Sequence, residues 1–239
     1  MPMCLVLGGG VGSRMRPATD TLPKPLLPVA GEPFAVHQLR WLASEGVTDV
    51  VYSIGYLGDL IRAELTSRCD LGCSVQFVDE GDRRLGTGGA VRFALDEGAL
   101  ADTFFVLYGD SFLRVDLDAV AGSFTRSGVE ALMTVFRNDA AFDTSNVDFD
   151  GRLVVRYDKR EADPVGAGLH YIDYGLSMLH ADTVRERVPV DTKSDLADMF
   201  TSLSSEGRLA GFEAHDRFFE IGSPRGLTDL QHYLASRPS

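Results

Sequence analysis

Apolar positions fall in short bursts separated by longer stretches of helical periodicity. Met3-Cys4-Leu5-Val6-Leu7 is a continuous apolar run and reads as a buried first strand. Residues 48–54 (TDVVYSI), 75–78 and 103–108 (TFFVLY) repeat the pattern and read as three more. Between them, Pro33 can open a helix that buries Phe34, Leu39 and Leu42 and ends at Gly46. Residues 57–67 read as a second helix, and 85–90 (LGTGGA) lead into a third that runs through Leu95. Strands alternating with helices in this way predict an open, mostly parallel, Rossmann-like α/β sheet.

The second half reads differently. Residues 115–127 predict a helix and 131–136 a buried strand, followed over 142–178 by short alternating segments and turns. That succession predicts an antiparallel extension of the sheet. A helix over 194–205, a strand over 217–221 and a closing helix over 224–234 complete the pattern. No disordered linker, internal repeat or low-complexity tract interrupts it. The expectation is one α/β domain over 1–239 with an added substrate-facing lobe.

Composition adds limits. At 239 residues, with 44 % apolar and 24 % charged side chains, the chain can bury a substantial core. No apolar run is long enough to span a membrane, and no signal-peptide pattern precedes the first strand. Three cysteines (Cys4, Cys69, Cys73) are too few for a disulfide framework, so a reducing cytoplasm is the expected setting. Cys69 and Cys73 have no histidine nearby to make a zinc site, and His37, His170, His180, His215 and His232 show no metal-ligand spacing. A net charge of −12 argues against a nucleic-acid partner.

The same acidity makes one cationic stretch conspicuous. After the first strand comes GGGVGSRMRPATDTLPKPLLP, with Gly8, Gly9, Gly10 and Gly12 followed by Arg14, Arg16 and Lys24 among prolines. Glycines let backbone approach a ligand closely, and clustered cations after a strand suit a phosphate-rich small molecule. Two common loops do not fit. The dinucleotide fingerprint fails because Ser13 stands where its third glycine belongs and prolines block the helix it should open. The P-loop fails because no Gly-Lys-Ser/Thr follows the glycines.

What fits is a family resemblance. GGGVGSRMRP followed by PKPLLP resembles the G-x-G-x-R and P-K-P signature of sugar-1-phosphate nucleotidylyltransferases, with Lys24 ten residues after Arg14. LGTGGA at 85–90, the strand-ending Gly109-Asp110 and FEIGSP at 219–224 follow in the family's order. The resemblance implies transfer of a nucleoside monophosphate from a nucleoside triphosphate to a sugar 1-phosphate, with Mg²⁺ as cofactor. Residues 1–127 would mainly bind nucleotide and 128–239 mainly the sugar phosphate.

Such a transfer brings two anions together, so the protein's work is charge neutralisation and in-line positioning. The expected catalytic residues are Arg14 on the leaving pyrophosphate, Lys24 on the α-phosphate, and Asp110. Nucleotide contacts are expected from Leu7, Gly8, Gly9, Gly10, Gly12 and Ser13, and from Asp79, Glu80, Leu85, Gly86, Thr87 and Gly88. Sugar-phosphate contacts are expected from Gly109, Lys159, Tyr174 and Gly175. Lys159 resembles the family's E-K-P lysine, although Arg160 stands where the proline would be, and a solvated lysine is the competing reading. The metal carboxylates would be Asp110 and Glu220; the family's second position is aspartate, so Glu220 is a departure.

Among members, the GDSFLRVDL stretch at 109–117 and LGTGGA look most like D-glycero-D-manno-heptose 1-phosphate guanylyltransferases. Uridylyltransferases acting on N-acetylmuramate 1-phosphate come next. A non-catalytic nucleotide-sugar-binding subunit is the alternative from another class, which Arg14, Lys24 and Asp110 argue against and Glu220 mildly favours.

Overall fold

The computed structural model describes residues 1–236. Its centre is β1 (Cys4–Leu7), in which Cys4, Leu5 and Val6 are fully buried. Two 3-10 turns, Ser13–Met15 and Lys24–Leu26, occupy the proline-rich stretch, and a small hairpin of β2 (Pro28–Val29) and β3 (Glu32–Pro33) leads into α1 (Phe34–Ser44). The chain continues through β4 (Asp49–Ile54), α2 (Gly58–Thr66), β5 (Ser74–Asp79), α3 (Gly86–Asp96) and β6 (Thr103–Tyr108). A short β7 (Ser111–Phe112) and α4 (Leu117–Ser127) follow.

β8 (Ala131–Arg137), β9 (Val147–Phe149), β10 (Val154–Tyr157) and β11 (Tyr171–His180) form the extension. The last part contains α5 (Ala181–Arg187), α6 (Leu196–Ser205), β12 (Leu209–Ala214), β13 (Phe219–Glu220) and α7 (Pro224–Ala235). β1, β4, β5 and β6 are parallel, whereas β11 runs antiparallel to β6 and β8. The expected mixture of a parallel sheet and an antiparallel extension is therefore present.

β7 and the β2–β3 hairpin have no counterpart in the sequence reading, and three further elements depart from it. β12 was not expected, because Leu209-Ala210-Gly211-Phe212 lacks both alternation and a long apolar run; it is held by parallel pairing with β8. The seven-residue α5 was likewise missed. The strand expected over 217–221 contracts to two residues, whose partner is β7. That pairing of sequence-distant pieces is what carries Glu220 to Asp110.

The topology places the site. β4 and β5 lie on one side of β1 and β6 on the other, so the strand order reverses between β1 and β6. In open α/β sheets a crevice forms outside the strand carboxyl ends at such a reversal. Apolar clusters cover both faces of the sheet, one built around Leu39, Tyr52 and Leu107 and the other around Leu5, Val91 and Phe200. A third cluster docks α7, through Leu230, on Met15, Phe34 and Ile221, closing the cationic stretch against the end of the chain.

Candidate active site

The crevice is a cleft of about 690 Å³. Its floor is the junction of Leu7–Gly8 and Gly109–Asp110. Gly109 N–H donates to Leu7 O at 3.1 Å, and a Cβ on Gly109 would collide with that carbonyl. Only glycine allows the two strand ends to approach this closely. Gly8 is backed by the Tyr52 ring and Gly9 by the Glu80 carboxylate, each too near for a side chain. Gly12, at φ 65, starts the 3-10 turn that carries Arg14.

Four charged groups converge here from three places in the sequence. Lys24 Nζ lies 2.7 Å from Asp110 Oδ2, with both side chains largely shielded from solvent. β13 pairs with β7, and Ile221 N–H donates to Asp110 O at 2.9 Å, which sets Glu220 beside Asp110. A methyl group on Gly222 would collide with Glu220 Oε2 and sit 3.1 Å from Arg14 Nη2 and 3.3 Å from Asp110 Oδ2. Two carboxylates and a guanidinium thus surround one small cradle that glycine leaves open. Arg14 makes no ion pair among the described residues, although the fold holds many arginine–carboxylate pairs elsewhere.

The cradle fits a hard divalent cation shared with phosphates. Magnesium of that kind takes only one or two protein carboxylates and fills its remaining positions with phosphate oxygens and water. Among the described residues there is no group of three or more His, Cys, Asp or Glu able to hold a metal alone. Glu220 is already oriented: Oε2 accepts from Gly222 N–H at 3.0 Å, and Oε1 accepts from the Ser223 hydroxyl at 3.0 Å.

Also on the cleft wall, Lys159 lies over the rings of Tyr108 and Tyr157, at 5.6 and 5.7 Å. Both tyrosine hydroxyls donate to Asp173 Oδ2, at 3.2 and 3.3 Å, and Gly175 N–H donates to Oδ1 at 3.0 Å. Burial raises the pKa of Asp173, opposed by the Lys159 charge and these hydrogen bonds. Gly175, at φ 103, brings β11 against Ser111 where a side chain would not fit.

A raised acid costs stability when ionised, and that cost disappears as pH falls through its folded pKa. Asp173→Asn is therefore expected to melt above the wild type at neutral pH. The gap should close as pH falls toward the ordinary aspartate range near ~3.9. Melting curves across pH check this, and a gap that widens on acidification would contradict it.

Of the residues singled out in the sequence, Leu7, Gly8, Gly9, Gly10, Arg14, Lys24, Glu80, Gly86 and Thr87 line the cleft. Gly109, Asp110, Lys159, Tyr174, Gly175 and Glu220 line it too. Gly12, Ser13, Asp79, Leu85 and Gly88 lie outside its wall. Asp79 is occupied by Gly81 N–H and Arg62, at 2.8 and 3.3 Å. The glycines of LGTGGA are needed first for the chain itself: Gly86, Gly88 and Gly89 pack against the backbone of 192–196, and Gly88 N–H donates to Ser194 O. Tyr174 is buried, and its hydroxyl is committed to the backbone of Arg114 and Asp216. His37 bonds the Val29 carbonyl and His170 pairs with Asp139, both away from the cleft wall.

Sequence reasoning missed Asp173, Asp195, Lys193, Arg84 and Asn146, all of which line the cleft. Asp173 did leave a signal, being an acid inside an otherwise apolar strand. Arg84 and Lys193 left none, because contacts between distant segments, among them the Leu85–Ser194 backbone bond and the Arg83–Asp191 pair, bring their loops together.

A parallel sheet with a glycine- and cation-lined crevice at its reversal point defines a nucleotide-handling α/β protein. The nucleotidyl transferase family model matches residues 3–146, and the chain belongs to that family. A mannose-1-phosphate guanyltransferase of Aspergillus fumigatus is 30 % identical over 235 residues, covering 97 % of this chain and 64 % of its own length. A mannose-1-phosphate guanylyltransferase of Mycobacterium tuberculosis is 29 % identical over 248 residues, covering 98 % and 66 %. The chain thus spans about two thirds of the length of these curated relatives. HddC from Yersinia pseudotuberculosis, also solved complexed with GMP-PN, has the same fold at a TM-score of 0.81 and 23 % identity, covering 98 % of this chain and 100 % of that one. A putative glucose-1-phosphate thymidylyltransferase from Bacillus anthracis superposes with a TM-score of 0.84 at 20 % identity, covering 99 % and 97 %.

Proposed function

We propose that this chain catalyses transfer of a nucleoside monophosphate from a nucleoside triphosphate to a sugar 1-phosphate, releasing pyrophosphate. The observation that carries the reading is the Gly222 cradle, where Arg14, Asp110 and Glu220 meet beside Lys24. The sugar phosphate oxygen attacks the α-phosphorus as the bond to pyrophosphate breaks. Lys24 neutralises the α-phosphate and Arg14 the leaving pyrophosphate, while backbone N–H groups of Gly9 and Gly10 offer further donors. Asp110 and Glu220 would hold magnesium, which neutralises phosphate charge when bound. Lys159, on the same cleft wall, holds the sugar phosphate. Asp173, a fixed acceptor beside Lys159, is placed for sugar hydroxyls.

For the base and sugar, the support is the similarity to mannose-1-phosphate guanylyltransferases. Together with the motif resemblance, it favours GTP and a manno-configured sugar 1-phosphate, with D-glycero-D-manno-heptose 1-phosphate first and mannose 1-phosphate second. The cytoplasm, where nucleoside triphosphates are made available, is the proposed setting; no described helix is long and apolar enough to cross a membrane.

The test is pyrophosphate release with magnesium across GTP, ATP, UTP, CTP and dTTP, paired with these two sugars and N-acetylmuramate 1-phosphate. The expected result is turnover highest with GTP and a manno sugar. Highest turnover with UTP and N-acetylmuramate 1-phosphate would replace the substrate assignment. Tight binding with no turnover in any pair would establish the binding-subunit reading instead.

A further inference from the structure

The turn that carries Asp110 is held from behind by a side chain the reaction does not touch. Gln38 lies in α1 with no exposed surface. Its amide nitrogen donates to Tyr108 O at 3.0 Å and to Ser111 O at 2.7 Å, the carbonyls on either side of Gly109-Asp110. A side-chain amide has two N–H donors and one acceptor oxygen. Here both hydrogens serve the turn, and Oε1 is left buried without a partner. The reverse orientation would aim that oxygen at two carbonyls, so the network fixes the amide.

Tyr52 completes the layer beneath the site. It is fully buried, its hydroxyl has no partner, and its ring presses under Gly8. Burial, and after it the Asp110 charge, raises the pKa of its hydroxyl. Tyr52 belongs to an apolar cluster that also holds Val6, Leu39 and Leu107. A buried amide with an unsatisfied oxygen is a poor choice for core packing alone, since unpaired buried polar atoms are costly. Its two bonds to the Asp110 turn supply the reason for it.

We propose that Gln38 is a positioning residue that sets the Asp110 turn so that its carboxylate meets Glu220 at the Gly222 cradle. The inference rests on the reading of Asp110 and Glu220 as a metal-binding pair. Backbone bonds from Gly109 to Leu7 and from Ile221 to Asp110 hold the turn at two other points. Without Gln38, the Tyr108 and Ser111 carbonyls lose their side-chain donor and the turn can tilt.

Gln38→Leu keeps the volume and removes both donors; Gln38→Asn keeps an amide that is one methylene too short. Both are to be compared with the wild type for Mn²⁺ affinity by electron paramagnetic resonance, for steady-state rates and for melting temperature. Outer groups that orient metal ligands commonly change affinity or rate ~10-fold or more. The expected result is Mn²⁺ binding weakened ~10-fold and kcat lowered to a similar degree, with KM for the sugar 1-phosphate within ~2-fold of wild type.

A folded variant with wild-type Mn²⁺ affinity overturns the assignment, and so does failure of both variants to fold, which would make Gln38 a stability residue only. Wild type that binds Mn²⁺ without transferring a nucleotidyl group overturns the proposed reaction alone. In that case the variants' Mn²⁺ affinities still decide the role of Gln38. Wild type that binds no Mn²⁺ overturns the metal pair and this inference with it.

Discussion

Asp110→Ala and Lys24→Ala are each expected to lower turnover at least ~100-fold, the scale of losing one preorganised charge in an anionic transition state. The two side chains touch at 2.7 Å, so each holds the other in place as well as acting on phosphate. Removing Asp110 frees Lys24 to swing, and removing Lys24 leaves Asp110 facing the phosphates without its counter-charge. Their effects should therefore not add. The double variant is expected to lose little more than the worse single variant, as groups acting as a unit do. Steady-state kinetics of the three variants checks this, and near-normal rates in both single variants would sink the site. Asp110→Asn, nearly isosteric, separates charge from shape: it should melt near the wild type and still be slow.

The second large effect concerns a residue with no side chain. Gly222→Ala places one methyl into the cradle, against Glu220 Oε2 and close to both Arg14 and Asp110. Gly222 is not among the positive-φ glycines, so the backbone tolerates a Cβ. The fold should survive while the charged groups are pushed apart. Displacements of about 1 Å in a reacting constellation can cost ~100-fold, and turnover is expected to fall on that scale with little change in melting temperature. Gly31→Ala is unsuitable as a control, because Gly31 sits at φ 85 where any side chain is strained. Gly10→Ala is the better probe of the loop itself, since nothing lies near its Cβ and any rate loss there reports crowding of ligand. Normal turnover in Gly222→Ala would show that the cradle is not where the chemistry happens.

These two experiments test different parts of the charge arrangement. Arg14 and Glu220 come from opposite ends of the chain, and what brings them together is the docking of α7 on the cationic stretch. Leu230 of α7 is fully buried against that region, so the C-terminal helix is part of the site's framework. The three cap bonds at its start reinforce this: Ser223 accepts from Gly226 N–H and its hydroxyl donates to Glu220, tying the helix N-terminus to the carboxylate. Leu227 N–H then donates to Ser223 O at 3.0 Å.

Much of this molecule was legible in order along the chain. Buried parallel strands announce themselves as short apolar runs, and β1, β4 and β6 were read within a residue or so of their ends. The glycine loop with Arg14 and Lys24 was legible because residue type and spacing are local properties. So was the carboxylate at the end of β6, since a polar residue directly after an apolar strand lies at the sheet's carboxyl edge. What the sequence could not convey was anything that depends on two distant segments meeting. β12 exists because β8 offers it an edge, Gly86 and Gly88 are glycine because the 192–196 backbone lies on them, and Gln38 is polar because the Asp110 turn lies above it. Read along the chain, Glu220 is a departure from the family's aspartate. Pairing of β13 with β7 puts it beside Asp110, a fact of tertiary contact that no spacing along the chain can state. Residue order is enough to say which chemical groups are available and on which kind of element most of them sit. Tertiary structure alone decided which of them share a cleft, because burial and hydrogen bonding select between neighbours in space and not along the chain.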